Sequence, residues 1–283
     1  MWTFLAVLSR RQGSFSHPVK QLFYASVGVF VGVLTCMAGM RRPRGNKVSE
    51  ASLLLRSLMT AGAFACRFAS LWYLPLVDSA VLTSTSLVLT RMPELARGHV
   101  SKHHILIVAL LLTVSALGLL VFSDLSGERP QGLLCALAST GLHSSQQLLS
   151  HGTAAMPLSV LLLHTSFILL LCSTVLSAFV MDSPEKLFTE ADMGAMSLTS
   201  HVGFAYVYFV SKGREADSGG LANMYKNSFD VIIAIVFTKA FLDEHVGAVS
   251  YVAALLVVTA VVVSELNRLA GLSRYRKRFR FFM

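Results

Sequence analysis

The sequence predicts an all-α membrane protein, a polytopic bundle of about nine transmembrane helices. Three observations carry that prediction. Of 283 residues, 54% are hydrophobic and 14% charged, against about 25% charged in an ordinary soluble domain. The apolar residues gather into runs near the length of about 20 that a helix needs to cross the hydrocarbon layer. The basic residues cluster in alternate connections between those runs. Together these exclude a soluble enzyme, a disordered chain and a disulfide scaffold.

The runs fall, in order, near residues 22–40, 53–73, 77–92, 104–122, 132–150, 157–181, 193–211, 220–241 and 246–266. The third is short, and Pro75 is a suitable residue for its first turn. The fourth and ninth are nearly all aliphatic, from Ile105 to Phe122 and from Val252 to Val263. They read as lipid-facing scaffold or as a homodimer contact. Before the first run, Trp2 to Ser9 are apolar but end at Arg10 and Arg11. That stretch is too short for a signal peptide. It reads as the tail of a further helix, with an interfacial stub as the alternative.

Loop charge orients these spans. Arg41, Arg42, Arg44 and Lys47 follow the first, Arg91, Arg97 and Lys102 the third, and Lys212 and Arg214 the seventh. Arg268, Arg274, Arg276, Lys277, Arg278 and Arg280 follow the last. Nine alternating spans place all of these on one side, which the positive-inside rule makes cytosolic. The opposite loops are acidic, with Asp124, Glu128, Asp182, Glu185, Glu190, Asp192, Asp243 and Glu244. Arg129 and Lys186 are the only bases in those loops, and otherwise only Arg10, Arg11 and Lys20 lie against the rule. The net charge of +9 is therefore a topology signal and not a nucleic-acid footprint. Cys36, Cys66, Cys135 and Cys172 sit inside apolar runs without metal-ligand spacing, and read as small packing residues.

Polar residues inside a span tend to face a cavity or another helix. Ser79, Thr83, Ser86 and Thr90 form a hydroxyl line on the third span. Thr140, His143, Ser144, Gln147 and His151 do the same on the fifth, and Ser197, His201 and Tyr208 share a face of the seventh. On the eighth, Asn223, Lys226, Asn227 and Asp230 recur at intervals of three and four. Arg67 lies deep in the second span, on the same face as Thr60.

Arg67 and Lys226 are the sharpest candidates, because a guanidinium or ammonium in a low-dielectric cavity binds carboxylate or phosphate through charge-assisted hydrogen bonds. Alternatives stay open: Lys226 and Asp230 are spaced to neutralise each other, and Arg67 can pair with Asp230 or with helix carbonyls. His201 is a proton-relay candidate or a helix-bonded histidine. The hydroxyl lines suit close helix packing or solute contact. No nucleophile–base pair, metal spacing or glycine-rich phosphate loop stands out, so the sequence reads as a non-enzyme without cofactor or metal.

Two stretches echo each other. Phe68-Ala69-Ser70-Leu71-Trp72-Tyr73 is matched by Phe204-Ala205-Tyr206-Val207-Tyr208-Phe209, and the run from Ala109 to Thr113 by that from Ala254 to Thr259. Internal repeats of this kind build many secondary transporters, with the solute site between halves.

Residues 53–90, LLLRSLMTAGAFACRFASLWYLPLVDSAVLTSTSLVLT, resemble the third and fourth helices of EamA-type members of the drug/metabolite transporter superfamily. These include the solute carrier 35 group, related to nucleotide-sugar transporters. Residues 237–263, FTKAFLDEHVGAVSYVAALLVVTAVVV, resemble the close of its ninth helix and its glycine-led tenth, here Glu244 and Gly247. The resemblance implies a ten-span, two-repeat architecture in which this chain lacks most of helix one. A first repeat would cover 1–129, incomplete at its start, a second 130–270, and a basic cytosolic tail 271–283. Where the family commonly has a proline in helix four, this sequence reads Ser86-Leu87-Val88.

The implied function is a secondary transporter moving a small organic anion or nucleotide-sugar-like metabolite by alternating access. Its solute site is expected from Arg67, Lys226, Asp230, Asn223, Asn227, His201, Tyr208, Thr83 and Ser86. The partners are then an anionic small molecule, the lipid bilayer and a second copy as the dimer alternative. The expected location is a Golgi, endoplasmic-reticulum or plasma membrane with the C-terminus cytosolic. The alternative is a non-transporting or regulatory membrane protein, a shortened transporter homologue.

Overall fold

The structure, a computed structural model, describes residues 18–38, 50–90, 92, 103–126, 130–149, 158–180, 193–216, 221–242 and 246–280. The regular elements among them are all helices: α1 (Pro18–Ala38), α2 (Glu50–Tyr73), α3 (Leu76–Ser84), α4 (Ser86–Leu89), α5 (His103–Ser126), α6 (Pro130–Leu149), α7 (Leu158–Val180), α8 (Met193–Ala216), α9 (Leu221–Phe237) and α10 (Ala248–Arg280). Each of the nine segments expected from the sequence is helical over most of its described residues. Trp2 to Ser9 and most of the charged connections lie outside them.

Within α1, α5, α7 and α10, the stretches Val19–Cys36, His104–Ser123, Val160–Val180 and Ala248–Glu265 are long and apolar enough to cross a membrane. Elsewhere the polar content rises for a visible reason. Helix α2 carries Arg56 and Arg67, and α6 carries hydroxyls that bond to its neighbours.

Three groups of helices are held by different means. Helix α1 packs on α8 and α7 through small residues. A Cβ placed on Gly28 would collide with the Ser200 backbone, and one on Gly32 with the Phe204 ring. Such close approach suits glycine at four-residue spacing. Ser200 Oγ donates to Tyr24 O at 2.8 Å, and the Ser26 and Ser173 hydroxyls meet at 2.6 Å.

Helix α6 clamps α2 and the α3–α4 segment. Ser139 Oγ donates to Ala63 O at 2.9 Å, Thr140 Oγ1 to Leu82 O at 2.9 Å, and Ser144 Oγ to Ser86 O at 3.2 Å. The α5–α10 contact is almost wholly apolar. Leu106, Ala109, Ala116 and Leu120 of α5, with Thr113, form a buried stripe at helical spacing, and Ala253, Ala254, Val257, Ala260 and Val261 of α10 are likewise buried.

Helix α3 lies at the centre. Every residue from Leu76 to Ser84 is buried, against α2, α6, α9 and α10. Pro75 precedes it as an extended N-cap residue rather than forming its first turn, and the helix begins at Leu76. The expected third span is interrupted at Thr85. There the Thr85 N–H bonds to Leu82 O at 3.3 Å and the Val88 N–H to Thr85 O at 3.0 Å, a tightening to i→i+3 bonds. Thr83 Oγ1 and Thr85 Oγ1 donate back to Ser79 O and Leu82 O. Hydroxyl back-bonding of this kind bends helices, so serine and threonine interrupt a helix that has no proline there. Helix α9 is also irregular, passing into a π-helical turn over Thr238–Leu242.

Helix α10 is not simply a peripheral apolar rod, because one face is core and touches α3, α4 and α9 as well as α5. It also runs unbroken to Arg280. No proline stops it, and a lone glycine, Gly271, costs only about 1 kcal/mol inside a helix.

Candidate functional site

Arg67 and Asp230 meet across the interior. Arg67 stands about two turns before the end of α2, where Ser70 Oγ accepts or donates to Ser79 Oγ of α3 at 2.8 Å and fixes the two helices together. Asp230 is buried on α9, on the side that also buries Val231, Ala234 and Thr238. Between them, Arg67 Nη2 lies 3.8 Å from Asp230 Oδ2, with the side chains 13% and 7% exposed. That separation is a Coulombic contact longer than a direct hydrogen bond of about 2.7–3.2 Å. Of the alternatives open for Arg67, pairing with Asp230 is present.

The remaining expected residues distribute unevenly. Thr83 and Ser86 are buried in α3 and α4, both of which pack on α9. Thr83 bonds to its own helix, while Ser86 Oγ has no hydrogen-bond partner among the described residues. His201 is on the exposed side of α8, and its Nδ1 lies 2.7 Å from Ser197 O one turn earlier. Tyr208 is half-buried with its ring 5.8 Å from that of Phe204. Asn223, Lys226 and Asn227 lie in α9, but their side chains fall outside the described residues. Lys239, expected to reach toward the polar boundary, is exposed and sits over the Tyr251 ring of α10 at 5.4 Å.

Several buried charged or amide residues escape the stripe-based reading, among them Arg56, Asp78, Gln146 and Glu265. A signal for them exists, since each is a charge or amide inside or at the edge of an apolar run. Asp78 and Glu265 sit near predicted span ends, where a charge usually needs no partner. Among the described residues no group of three His, Cys, Asp or Glu is placed to hold a metal ion.

No family model matches the chain, and neither does any curated protein. Among solved structures, one crystal structure of a protein aligns over 94% of this chain and 93% of its own, at 15% identity and a TM-score of 0.56. At that identity the likeness concerns the fold alone. It spans nearly the whole of both chains, so the helical arrangement is one already seen in a crystal.

Chemically, the pair places a permanent cation beside a carboxylate in a poorly hydrated interior. A carboxylate or phosphate reaching this point would compete with the Asp230 carboxylate for the same guanidinium.

Proposed function

We propose that this chain is a multi-pass membrane protein of the drug/metabolite-transporter plan, a secondary transporter that moves a small organic anion by alternating access. The Arg67–Asp230 pair carries the reading. Ionisable residues held between membrane helices are costly and mark solute paths. Asp230 serves as the resident counter-ion of Arg67, displaced when the solute anion arrives, with Lys226 a second cation one turn away on α9. Nucleotide sugars fit this chemistry through their phosphates.

Two features support the setting. Large apolar side chains point outward, among them Phe122 at 80% and Phe179 at 86% exposure, and such surfaces on apolar helices suit lipid rather than water. The helix contacts also repeat under exchange. Helix α1 packs with α7, α3 with α9 and α5 with α10, while the α1–α8 contact has its counterpart in α7–α2. Duplicated transporters with broken central helices have this organisation, and the echoing sequences around Phe68 and Phe204 lie on the exchanged pair α2 and α8. In this reading nine spans cross the bilayer and the basic C-terminus is cytosolic.

The test is uptake of a labelled nucleoside diphosphate hexose and of labelled sulfate into proteoliposomes. Uptake by the native chain should fall at least tenfold in R67A/K226A, with insertion unchanged. Equal uptake by the double variant refutes the anion site.

A further inference from the structure

We propose that Arg56 is a second solute-binding residue, holding one end of an elongated anion whose phosphate lies at Arg67. The inference rests on the reading of the Arg67–Asp230 pair as an anion site and adds the shape of the solute that it takes.

Contacts account for three sides of α2. Ser57 Oγ meets Thr165 Oγ1 at 3.4 Å, which marks the side against α7. Ser139 Oγ donates to Ala63 O at 2.9 Å, and a Cβ on Gly62 would meet Leu142 Cδ1 at 3.1 Å, which marks the side against α6. Leu54, Leu55, Leu58 and Trp72 are exposed and mark the outer side. Arg56 and Arg67 fall on the fourth side, with Thr60 between them. At 3.6 residues per turn, the step from Arg56 to Arg67 returns to within about 20° of the same direction. Arg67 reaches Asp230 of α9, so this side of α2 faces the interior. Arg56 is accordingly buried, at 8% exposure.

The spacing sets the size of the solute. The same step rises about 16 Å along the helix, and long side chains on a helix lean alike toward its N-terminus, so the two guanidinium groups stay well apart. A compact anion held at Arg67 does not reach Arg56. An elongated one does, when its phosphate occupies Arg67 and an acceptor-rich end extends toward the start of α2. A guanidinium offers five donors in a planar fork and stacks on flat rings, which suits the edge or face of a nucleobase. A nucleoside diphosphate hexose joins such a base to its phosphates. In the proposed orientation α2 begins on the cytosolic side, so the base end lies nearer the cytosol.

The experiment is titration calorimetry on the purified full chain with two probes, a nucleoside diphosphate hexose and inorganic pyrophosphate, which has two phosphates but neither base nor sugar. R56A should weaken the nucleotide sugar by about tenfold or more, the worth of one hydrogen bond to a charged group, and leave pyrophosphate unchanged. R67A should weaken both. R56K keeps the charge without the planar fork and should also weaken the nucleotide sugar alone. Unchanged binding of both probes by R56A overturns the second contact. An equal loss toward both overturns it too, since that is what a purely structural arginine gives. If R56A fails to fold, the same comparison on R56K decides, and equal effects on the two probes overturn the proposal. A native chain that binds pyrophosphate as tightly as the nucleotide sugar also overturns it and leaves the anion site standing. Failure of both probes to bind the folded native chain removes the anion site and the second contact together.

Discussion

Two glycines of α6, nine positions apart, should respond oppositely to the same substitution. A Cβ on Gly132 would lie 2.6 Å from Tyr73 Cβ and 2.8 Å from Leu74 Cγ, where ordinary contact begins at 3.4 Å. Relief therefore requires α6 and the end of α2 to part by about 0.8 Å, the shortfall between 2.6 and 3.4 Å. Neither neighbour yields easily, because Tyr73 Cβ is fixed to the backbone and Leu74 is fully buried. Overpacking of this kind costs about 1–3 kcal/mol, partly offset by a gain of about 1 kcal/mol from alanine's helix propensity. Gly141 has nothing within 4 Å of a new Cβ, so only the propensity gain applies. At about 2–4 °C per kcal/mol for a chain of this size, G132A should melt a few degrees below the native protein and G141A a few degrees above. Thermal unfolding of both variants in one detergent measures the difference. A G132A protein as stable as G141A would refute the close α6–α2 contact and the register of the helices that makes it.

The central pair and the α6 hydroxyls give further expectations. R67A leaves the Asp230 carboxylate buried without its guanidinium and should lower stability by about 3–5 kcal/mol, whereas the neutral pair R67Q/D230N should lose less. Thermal melts in which the double variant is the weaker protein would contradict that pairing. Removing the three α6 hydroxyls in S139A/T140V/S144A should cost about 2 kcal/mol, at roughly 0.6 kcal/mol for each bond between helices in a membrane. A triple variant melting with the native chain would show that those bonds contribute nothing.

The helices were legible because run length and apolar content are properties of a single segment. What each helix touches is not. The aliphatic run from Val252 to Val263 reads the same whether it faces lipid or protein, and only its alternation of Ala253, Ala254, Val257, Ala260 and Val261 hints at the buried side that the fold reveals. Arg67 and Asp230 were visible as charges in need of a partner, but their partnership joins helices distant in sequence and carries no spacing signal. The line from Ser79 to Thr90 was visible too. Its division of labour was not: Ser79 reaches α2, Thr83 bends its own helix, and Ser86 Oγ stays without a partner among the described residues. Hydroxyls choose between their own backbone and a neighbour on local geometry, which periodicity does not encode.

The glycine seam between α1 and α8 has a consequence for how the chain is made. Tyr24 and Ser200, which bond across it, are 176 residues apart. At a synthesis rate of roughly 5–20 residues per second, α1 waits on the order of 10–30 s before its partner emerges. During that interval α1 presents a glycine-lined face shaped for another helix. Helix α7, which also packs on α1, precedes α8 in the chain.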